Sequence, residues 1–471
     1  MNAMRHILFI IAVFFGICAI SSCINDDFTD SPSATLTFST DTVNFGTVFT
    51  DLQSPTARLV VRNNNKKGVV ISSIRFREDN SPFMLNVDGQ SGKVFHDVEI
   101  RGNDSIFLFI ECYLNADDSN EPTRVADQID FTTNGVAQQV EVEAWAWNVE
   151  RLHGETIDTD LTLTSEKPYI VFDSLIVAPQ ATLTIEPGTM LLFHDKATLD
   201  IRGRIVAVGE PGKMIQMRGD RLDDVLPDVG YDILAGQWGG VRIAPESFEN
   251  RIEYVDMRST TSGLRVDSCG DLSRQKLTLV NSWLHNSQST VLESIHAKVD
   301  AYGCCFSEAA EAVVRLTGGE HLFSQCTIAN YYLFTSWGEP NLSLYHCMPG
   351  EPAEDPSPLM KASFENGIIW GDIGSPLYPG DLIGSEVFMR NMLIKADGTD
   401  DENFIDCIWN EDPLFETIRS DYYFNYHVKE GSAAIDKGNP SYVVPETAID
   451  MDGLPRLEEG NPTLGAYVYR Q

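Results

Sequence analysis

Aromatic side chains cluster in the second half of the sequence, where they could stack on the faces of sugar rings. Tyr331 and Tyr332 are followed closely by Trp337, and Tyr345 and Trp370 come later. Rings that lie in a row can each cover one sugar, while neighbouring polar groups hydrogen-bond to its hydroxyls. These five residues are the candidate glycan-binding site. Packing in a core or a cap is the alternative interpretation of the same rings.

The charged residues form no recognisable catalytic set. Asp223 and Asp224 fall in a stretch typical of a loop, whereas glycoside hydrolysis needs two carboxylates that flank the scissile bond. A lyase that acts on uronic acids needs a base, and a cation beside the sugar carboxylate. The cations of this region are Arg258, Arg265, Lys276, Lys298 and Arg315. No motif selects a base among them, so no catalytic residue is assigned.

No pattern indicates a metal or a cofactor. The CxxC and His-x-x-His spacings of zinc sites are missing from the sequence. The segment 397–421 contains nine acidic residues, but its spacing is not that of an EF-hand. Such acidic turns could hold Ca²⁺ loosely, although a solvated insertion is the favoured interpretation.

Composition excludes several functions. The chain has 471 residues, enough for two or three domains, and 43% are hydrophobic, which excludes wholesale disorder. The formal net charge is −35. A chain this acidic is repelled by phosphate backbones, so we expect no nucleic-acid partner.

The first residues predict export and a lipid anchor. Basic Arg5 precedes a fourteen-residue apolar run, 7–20, which is shorter than the roughly 20 residues of a membrane-spanning helix. Ser21-Ser22-Cys23 then resembles the lipobox of bacterial lipoproteins. That resemblance implies a signal peptide over 1–22, lipidation (a palmitate-type anchor) at Cys23, a flexible tether over 23–33, and attachment to the outer membrane on its periplasmic or surface-exposed face.

Short alternating strands predict a β-sandwich over 34–150. Examples are Leu59–Val61, Val69–Ile71 and Ile106–Phe109, separated by turn signals such as Asn134-Gly135. The segment that begins Val43-Asn-Phe-Gly-Thr-Val resembles the immunoglobulin-like modules of the Hydin-like class. Such modules act as spacers or bind protein partners.

A repeat of about 22 residues predicts a right-handed parallel β-helix over 155–396. An inward residue recurs at Val255, Ser282, Cys304, Cys326, Cys347, Gly367 and Met392, in steps of 27, 22, 22, 21, 20 and 25. Turn residues follow four positions later, among them Ser259, Asn286 and Glu308. Each repeat is one coil of three strands, and stacking of the coils supplies the core.

The cysteines of the repeat are expected to stack as packed thiols. Seven cysteines remain after Cys18 and Cys23 are set aside, so at least one is free. Cys304, Cys326 and Cys347 share the inward position, where parallel Cβ vectors make a disulfide awkward.

The sequence resembles a known family at both ends of this region. Glu186-Pro-Gly-Thr-Met, Ile201-Arg-Gly-Arg and Gly236-Gln-Trp-Gly-Gly are similar to the opening coils of bacterial right-handed β-helix lipoproteins, which have the pectate-lyase-like fold. Ser432-Ala-Ala-Ile-Asp and Leu464-Gly-Ala-Tyr are similar to their closing segment. The resemblance implies that 397–471 holds an acidic insertion and a C-terminal cap.

Three functions remain open at this stage. The first is a surface lipoprotein, not an enzyme, that binds a polysaccharide or a surface protein through one side of the β-helix. The second is a polysaccharide lyase that acts on acidic glycans, and the third is a structural scaffold. The fold hosts enzymes, adhesins and scaffolds alike, so it does not choose between them.

Overall fold

The computed structural model describes residues 27–226, 228–334, 338–345, 361–372, 377–378, 385–420, 422–458 and 460–470. The chain divides into two compact units, one up to Trp147 and one from Asn148 onward. Regular structure in the described residues is β-strand, apart from 3₁₀ turns at Tyr231–Ile233, Pro440–Tyr442 and Pro445–Thr447. None of their helices is long and apolar enough to cross a bilayer.

The first unit is a β-sandwich, as predicted. Two sheets of five and six strands, with orders β1-β3-β9-β5-β6 and β2-β11-β10-β4-β7, enclose one apolar core, and β8 pairs with β4. Alternation buries every second side chain between the sheets. The strands are β1 Thr37–Phe38, β2 Thr42–Phe49, β3 Ala57–Asn63, β4 Val69–Phe76, β5 Phe83–Val87, β6 Gln90–Gly92, β7 Val94–Phe95, β8 Val98–Ile100, β9 Asp104–Cys112, β10 Thr123–Thr133 and β11 Val136–Trp147.

The predicted tether is not free along its whole length. From Asp27 onward the backbone is bound to the sandwich, because Gly68 donates to the Asp27 carbonyl and accepts from the Thr29 amide. The Phe28 ring fills the space that a Cβ at Gly68 would occupy. The flexible tether predicted over 23–33 is therefore wrong for 27–33; Cys23 itself lies outside the described residues.

The second unit is a parallel β-helix with three faces. Face 1 is formed by β16, β19, β24, β27, β30, β33, β36, β39 and β41; face 2 by β14, β17, β22, β25, β28, β31, β34 and β37; face 3 by β13, β15, β18, β23, β26, β29, β32, β35, β38 and β40. The strands are β12 Glu150–Ile157, β13 Leu161–Leu163, β14 Tyr169–Val177, β15 Thr182–Ile185, β16 Met190–Phe193, β17 Thr198–Ile201, β18 Arg204–Val208, β19 Ile215–Gly219, β20 Asp224–Leu226, β21 Val229–Gly230, β22 Gly240–Ile243, β23 Asn250–Glu253, β24 Val255–Thr260, β25 Leu264–Val266, β26 Leu277–Val280, β27 Trp283–Ser287, β28 Leu292–Ile295, β29 Lys298–Tyr302, β30 Cys305–Ala309, β31 Val314–Thr317, β32 Glu320–Ser324, β33 Thr327–Asn330, β34 Leu342–Tyr345, β35 Lys361–Glu365, β36 Ile368–Gly371, β37 Leu377–Tyr378, β38 Glu386–Arg390, β39 Leu393–Ile394, β40 Phe404–Ile405, β41 Ile408–Trp409, β42 Phe415–Ser420 and β43 Tyr423–Val428.

The predicted register of face 1 is correct except at one coil. Trp283 pairs with Cys305, and Cys305 with Thr327, so Cys304 lies next to Cys326 as a buried free thiol inside the coils. Thr327 then pairs directly with Ile368, a step of 41 residues. The coil predicted at Cys347 is therefore wrong.

The long coil misled the prediction because its length imitates two repeats. Its face 2 strand is β34, which pairs with β31 rather than with a strand of face 1, and its face 3 strand is β35. Cys347 lies in a segment outside the described residues. Cys305 points outward, as strand alternation predicts, but it is buried there as well.

The coils continue beyond their predicted end, and the C-terminal segment runs beside them rather than closing the last one. The strands β40 and β41 continue faces 3 and 1, so the coils extend past the predicted boundary at 396 into the expected acidic insertion. The turn at Asp450 lies beside earlier coils, since the Asp450 carbonyl accepts a hydrogen bond from Tyr254 and the Ile449 carbonyl accepts one from Asn281. The C-terminal segment thus runs alongside the coils.

Lys276 serves the fold rather than a charged surface. Its side chain is fully buried, and its Nζ donates to the carbonyls of Ala244, Pro245 and Ser247 at 2.7, 3.0 and 3.1 Å. Its three donors match three acceptors, which offsets the cost of burying the charge. Lys276 is therefore not available to a ligand.

We expect Lys276→Met to lower the free energy of unfolding by about 3 kcal/mol, because three buried carbonyls lose a charged donor. The control is Lys298→Met. Lys298 forms a partly exposed ion pair with Glu320, and such a pair contributes less than about 1 kcal/mol to the free energy of unfolding. Urea denaturation of both variants measures the difference. Equal losses of unfolding free energy in the two variants would show that the Lys276 hydrogen bonds contribute no more than a surface ion pair.

Candidate functional site

A cavity of about 290 Å³ lies on the outer side of face 1. Its floor comes from three successive coils, through β24, β27 and β30. Residues within 228–233 and at the start of β43 also line it. The lining residues are Asp228, Val229, Gly230, Asp232, Ile233, Arg258, Trp283, His285, Asn286, Glu308, Tyr332, Leu333, Tyr422, Tyr423 and Phe424.

Strand alternation aims the floor residues at the cavity. Val255 and Met257 point into the apolar core, so Asp256 and Arg258 between and after them point outward. The parallel register then places Asp256 beside Trp283, and Arg258 beside His285. Residues far apart in sequence thus form one polar row.

Protein carboxylates balance the charge of the two arginines of this site, although Nε of each arginine has no hydrogen-bond partner among the described residues. The Asp232 carboxylate lies 3.3 Å from Arg218 and 3.4 Å from Arg258. Arg258 also lies 3.3 Å from Asp256. Both guanidinium groups are therefore neutralised by protein carboxylates, and the site offers neither as a free cation to a ligand.

His285 is held as a neutral base. Its Nε2 lies 3.1 Å from the Asp256 carboxylate, and its ring stacks on Trp283 with centroids 4.0 Å apart. This hydrogen bond assigns the proton to Nε2 and leaves the lone pair on Nδ1. Burial lowers the pKa of His285 more than Asp256 raises it. For Asp256, burial raises the pKa, but Arg258 and the His285 hydrogen bond outweigh burial and lower it.

Glu308 combines three unusual properties. Its φ is +50°, a left-handed conformation that a glutamate rarely adopts. It is only 2% exposed, and Oε2 has no hydrogen-bond partner among the described residues, whereas Oε1 accepts from the Tyr426 hydroxyl. Burial raises the pKa of Glu308 to about 7, and the nearby Ser307 and Tyr426 hydroxyls offset this only in part.

A second, wider cleft of about 740 Å³ shares Trp283, Tyr423 and Phe424 with the cavity. On its far side Asp452 accepts from His427 at 2.7 Å and pairs with Arg470 at 2.9 Å. The His427 hydrogen bond lowers the pKa of Asp452. The cleft extends the polar and aromatic surface of the cavity along face 1.

The structure does not bring the predicted aromatic residues into a row. Tyr332 lines the cavity, but it is only 9% exposed. Tyr331 and Trp370 are buried in an outer apolar cluster between face 1 and the C-terminal segment, so their rings are packed rather than free. Tyr345 is half-buried at the end of β34 on face 2, and Trp337 lies outside the described residues.

The cations considered for a lyase lie in different places. Arg258 belongs to the cavity, but Arg265 lies on face 2, where it pairs with Asp267 at 2.8 Å and with Glu293 at 2.9 Å. Arg315, two coils beyond Arg265, pairs with Glu293 and with Glu339. These contacts form an alternating ladder of surface charge, which is typical of adjacent coils in register.

Sequence reasoning missed most of the polar site, namely Asp232, Asp256, Trp283, His285 and Glu308. The repeat pattern could have indicated Asp256, Trp283, His285 and Glu308, because these residues occupy its outward or turn positions. Asp232 carried no such signal, since it lies in a loop outside the repeat. In the described part of the chain, no group of three or more His, Cys, Asp or Glu side chains could hold a metal ion.

No family model and no curated protein matches the sequence. A protein of unknown function from Porphyromonas gingivalis W83 is 12% identical over 27% of this chain and 50% of its own, with a TM-score of 0.18. PapD-like domain 7 of human CEP192 is 12% identical over 26% of this chain and 91% of its own, with a TM-score of 0.19.

The periplasmic chaperone SfaE is 13% identical over 24% of this chain and 58% of its own, with a TM-score of 0.18. The chain thus spans half the length of the first of these structures. At such TM-scores the similarities carry no argument about function.

We expect Glu308→Gln to change the pH dependence of stability. Folding raises the pKa of Glu308 from 4.5 to about 7, so between these values the folded protein keeps a proton that the unfolded chain releases. Stability from this group is therefore present at low pH and lost as the pH rises toward 7. Glutamine cannot ionise, so between pH 5.5 and 8 the variant should gain about 2 kcal/mol relative to the unsubstituted protein.

Urea denaturation of both proteins at the two pH values measures this change. Glu320→Gln is the control, because Glu320 is partly exposed and pairs only with Lys298 among the described residues. Its difference from the unsubstituted protein should stay within about 1 kcal/mol at both pH values. A constant difference for Glu308→Gln would contradict the raised pKa.

Proposed function

We propose that the β-helix binds a sugar unit of a glycan in the cavity on face 1. The observation that carries this proposal is that the rings of Trp283, Tyr332 and Tyr423 line the same cavity as the polar side chains of His285, Asn286 and Glu308. A sugar ring has apolar C–H faces and polar edges, and this cavity offers matching surfaces to both. The volume of about 290 Å³ suits one or two sugar rings at the lower end of small-molecule sites.

The paired arginines favour a neutral sugar over a uronic acid. Arg218 and Arg258 already face Asp232 and Asp256, so a sugar carboxylate would have to displace one of these ion pairs. Glu308 adds a further carboxyl group to the cavity. These charges argue against the alternative of a lyase that acts on acidic glycans.

We further propose that Cys23 anchors the chain to the outer membrane as a lipoprotein, and that the sandwich acts as a spacer of the Hydin-like immunoglobulin class. The resemblance of Ser21-Ser22-Cys23 to a lipobox and the strand pattern after Val43 support these assignments. An exported glycan-binding β-helix would meet its ligand outside the cytoplasm.

Loss of an exposed ring should weaken glycan binding. Tyr423 is 60% exposed and lines both the cavity and the cleft, so Tyr423→Ala should reduce affinity about tenfold without unfolding the protein. Tyr113→Ala is the matched control, since Tyr113 is 48% exposed in the first unit. A glycan array with the purified protein, followed by titration calorimetry, measures these effects. An array without a single bound glycan would refute the proposal.

Replacement of the lipobox cysteine should release the protein from the membrane. We expect Cys23→Ala to abolish incorporation of labelled palmitate and to move the protein to the soluble fraction, because the apolar run is too short to span a bilayer. Cys18→Ala should leave both unchanged. Membrane retention of the Cys23→Ala protein without label would contradict the lipid anchor.

A further inference from the structure

Glu308 occupies a position that favours another residue type. In the two preceding coils the same turn position holds Ser259 and Asn286, with φ of +65° and +58°. Serine and especially asparagine suit such turns through local hydrogen bonds, and asparagine also tolerates the left-handed region, whereas glutamate does not share these advantages. A strained residue that is also buried and carries an unpartnered oxygen points to a ligand at that oxygen.

His285 lies on the coil beside Glu308. The parallel register pairs His285 with Ser307, the residue directly before Glu308, and both His285 and Glu308 line the cavity. Asp256 fixes the imidazole through Nε2, so Nδ1 is the nitrogen that remains to accept a proton. One cavity therefore holds an oriented base and a carboxylic acid on adjacent coils.

We infer that His285 and Glu308 are the base and the acid of a hydrolytic site that cleaves the glycosidic bond of a neutral sugar bound in the cavity. This inference rests on the proposed glycan binding and adds an activity to it. Acid and base are each kept in the required form near neutral pH, since the pKa of Glu308 is raised to about 7 and that of His285 is lowered.

The reaction adds one water molecule across the bond. Glu308 Oε2 gives its proton to the glycosidic oxygen as the bond from that oxygen to the anomeric carbon breaks. The oxygen of a water molecule forms the new bond to the anomeric carbon and passes a proton to His285 Nδ1. Asp256 stabilises the resulting imidazolium. Proton exchange with solvent then restores both residues, so no other reactant is needed.

Several groups set the charge around this pair. The hairpin of β42 and β43 contributes Tyr426 and Arg419, and the strand that contains Glu308 contributes Cys305. Arg258, Asp228 and Asp232 line the same cavity. Activity should fall as the pH rises through about 7, because Glu308 then loses the proton that it must donate. Tyr426→Phe removes a hydrogen bond that stabilises the ionised carboxylate, so this fall should move to higher pH.

The test compares two leaving groups in one protein. Probes are neutral oligosaccharides that the array shows to bind, and the 2,4-dinitrophenyl glycosides of the same sugars. Glu308→Gln should reduce cleavage of the oligosaccharides at least about 100-fold and leave their dissociation constants within about threefold. It should retain cleavage of the dinitrophenyl glycosides, because that leaving group needs no proton. His285→Gln should slow cleavage of both probes, and Glu320→Gln should change neither.

The outcomes separate the two proposals. Binding of oligosaccharides without release of reducing ends by the unsubstituted protein would overturn the hydrolytic site and leave the proposed glycan binding intact. Equal losses on both probes for Glu308→Gln would also overturn the acid role. Absence of any binding would overturn the proposed function and this inference with it.

Discussion

Parallel stacking of successive coils in register is the constraint on which the second unit depends. Hydrogen bonds between coils set Asp256 beside Trp283 and Trp283 beside Cys305, across steps of 27 and 22 residues. The inward side chains of one coil are buried only when the next coil covers them. The outward side chains of the same strands become a row with the same spacing. Core and functional surface therefore share one register, and a shift of one residue would exchange them.

The C-terminal segment turns that outward row into a site. Tyr426 covers Glu308, and the outer apolar cluster seals the coils beyond it. Buried Arg456 fixes the returning chain by donating to the carbonyls of Gly465 and Ala466. Without this cover Glu308 would be a solvated carboxylate with little reason for a raised pKa. The chemistry of the row therefore depends on residues more than one hundred positions later in the chain.

Periodicity made the coils predictable, and its limits explain the errors. Alternation about Val255 and Met257 correctly gives the inward row, and the same pattern implies the outward Asp256 and Arg258. The long coil broke the pattern, since its extra length resembled a repeat at Cys347. Tyr331 and Trp370 were expected to be exposed to a glycan. The C-terminal segment that buries them is not part of the repeat, so the repeat pattern does not indicate this contact. Contacts of that kind follow from tertiary packing, which spacing along the chain does not encode.

Two buried charged residues show how a structural charge differs from a functional one. Lys276 has three N–H donors and three carbonyl acceptors, so every donor of its buried ammonium group has a hydrogen-bond partner. Glu308 is buried as deeply, yet it adopts a left-handed φ and leaves Oε2 without a partner among the described residues. Each departure costs on the order of 1 kcal/mol or more, and the fold gains nothing visible from either. Local rules are broken in this way where a residue must meet a ligand, and Glu308 lines the cavity that Trp283, His285 and Tyr332 also line.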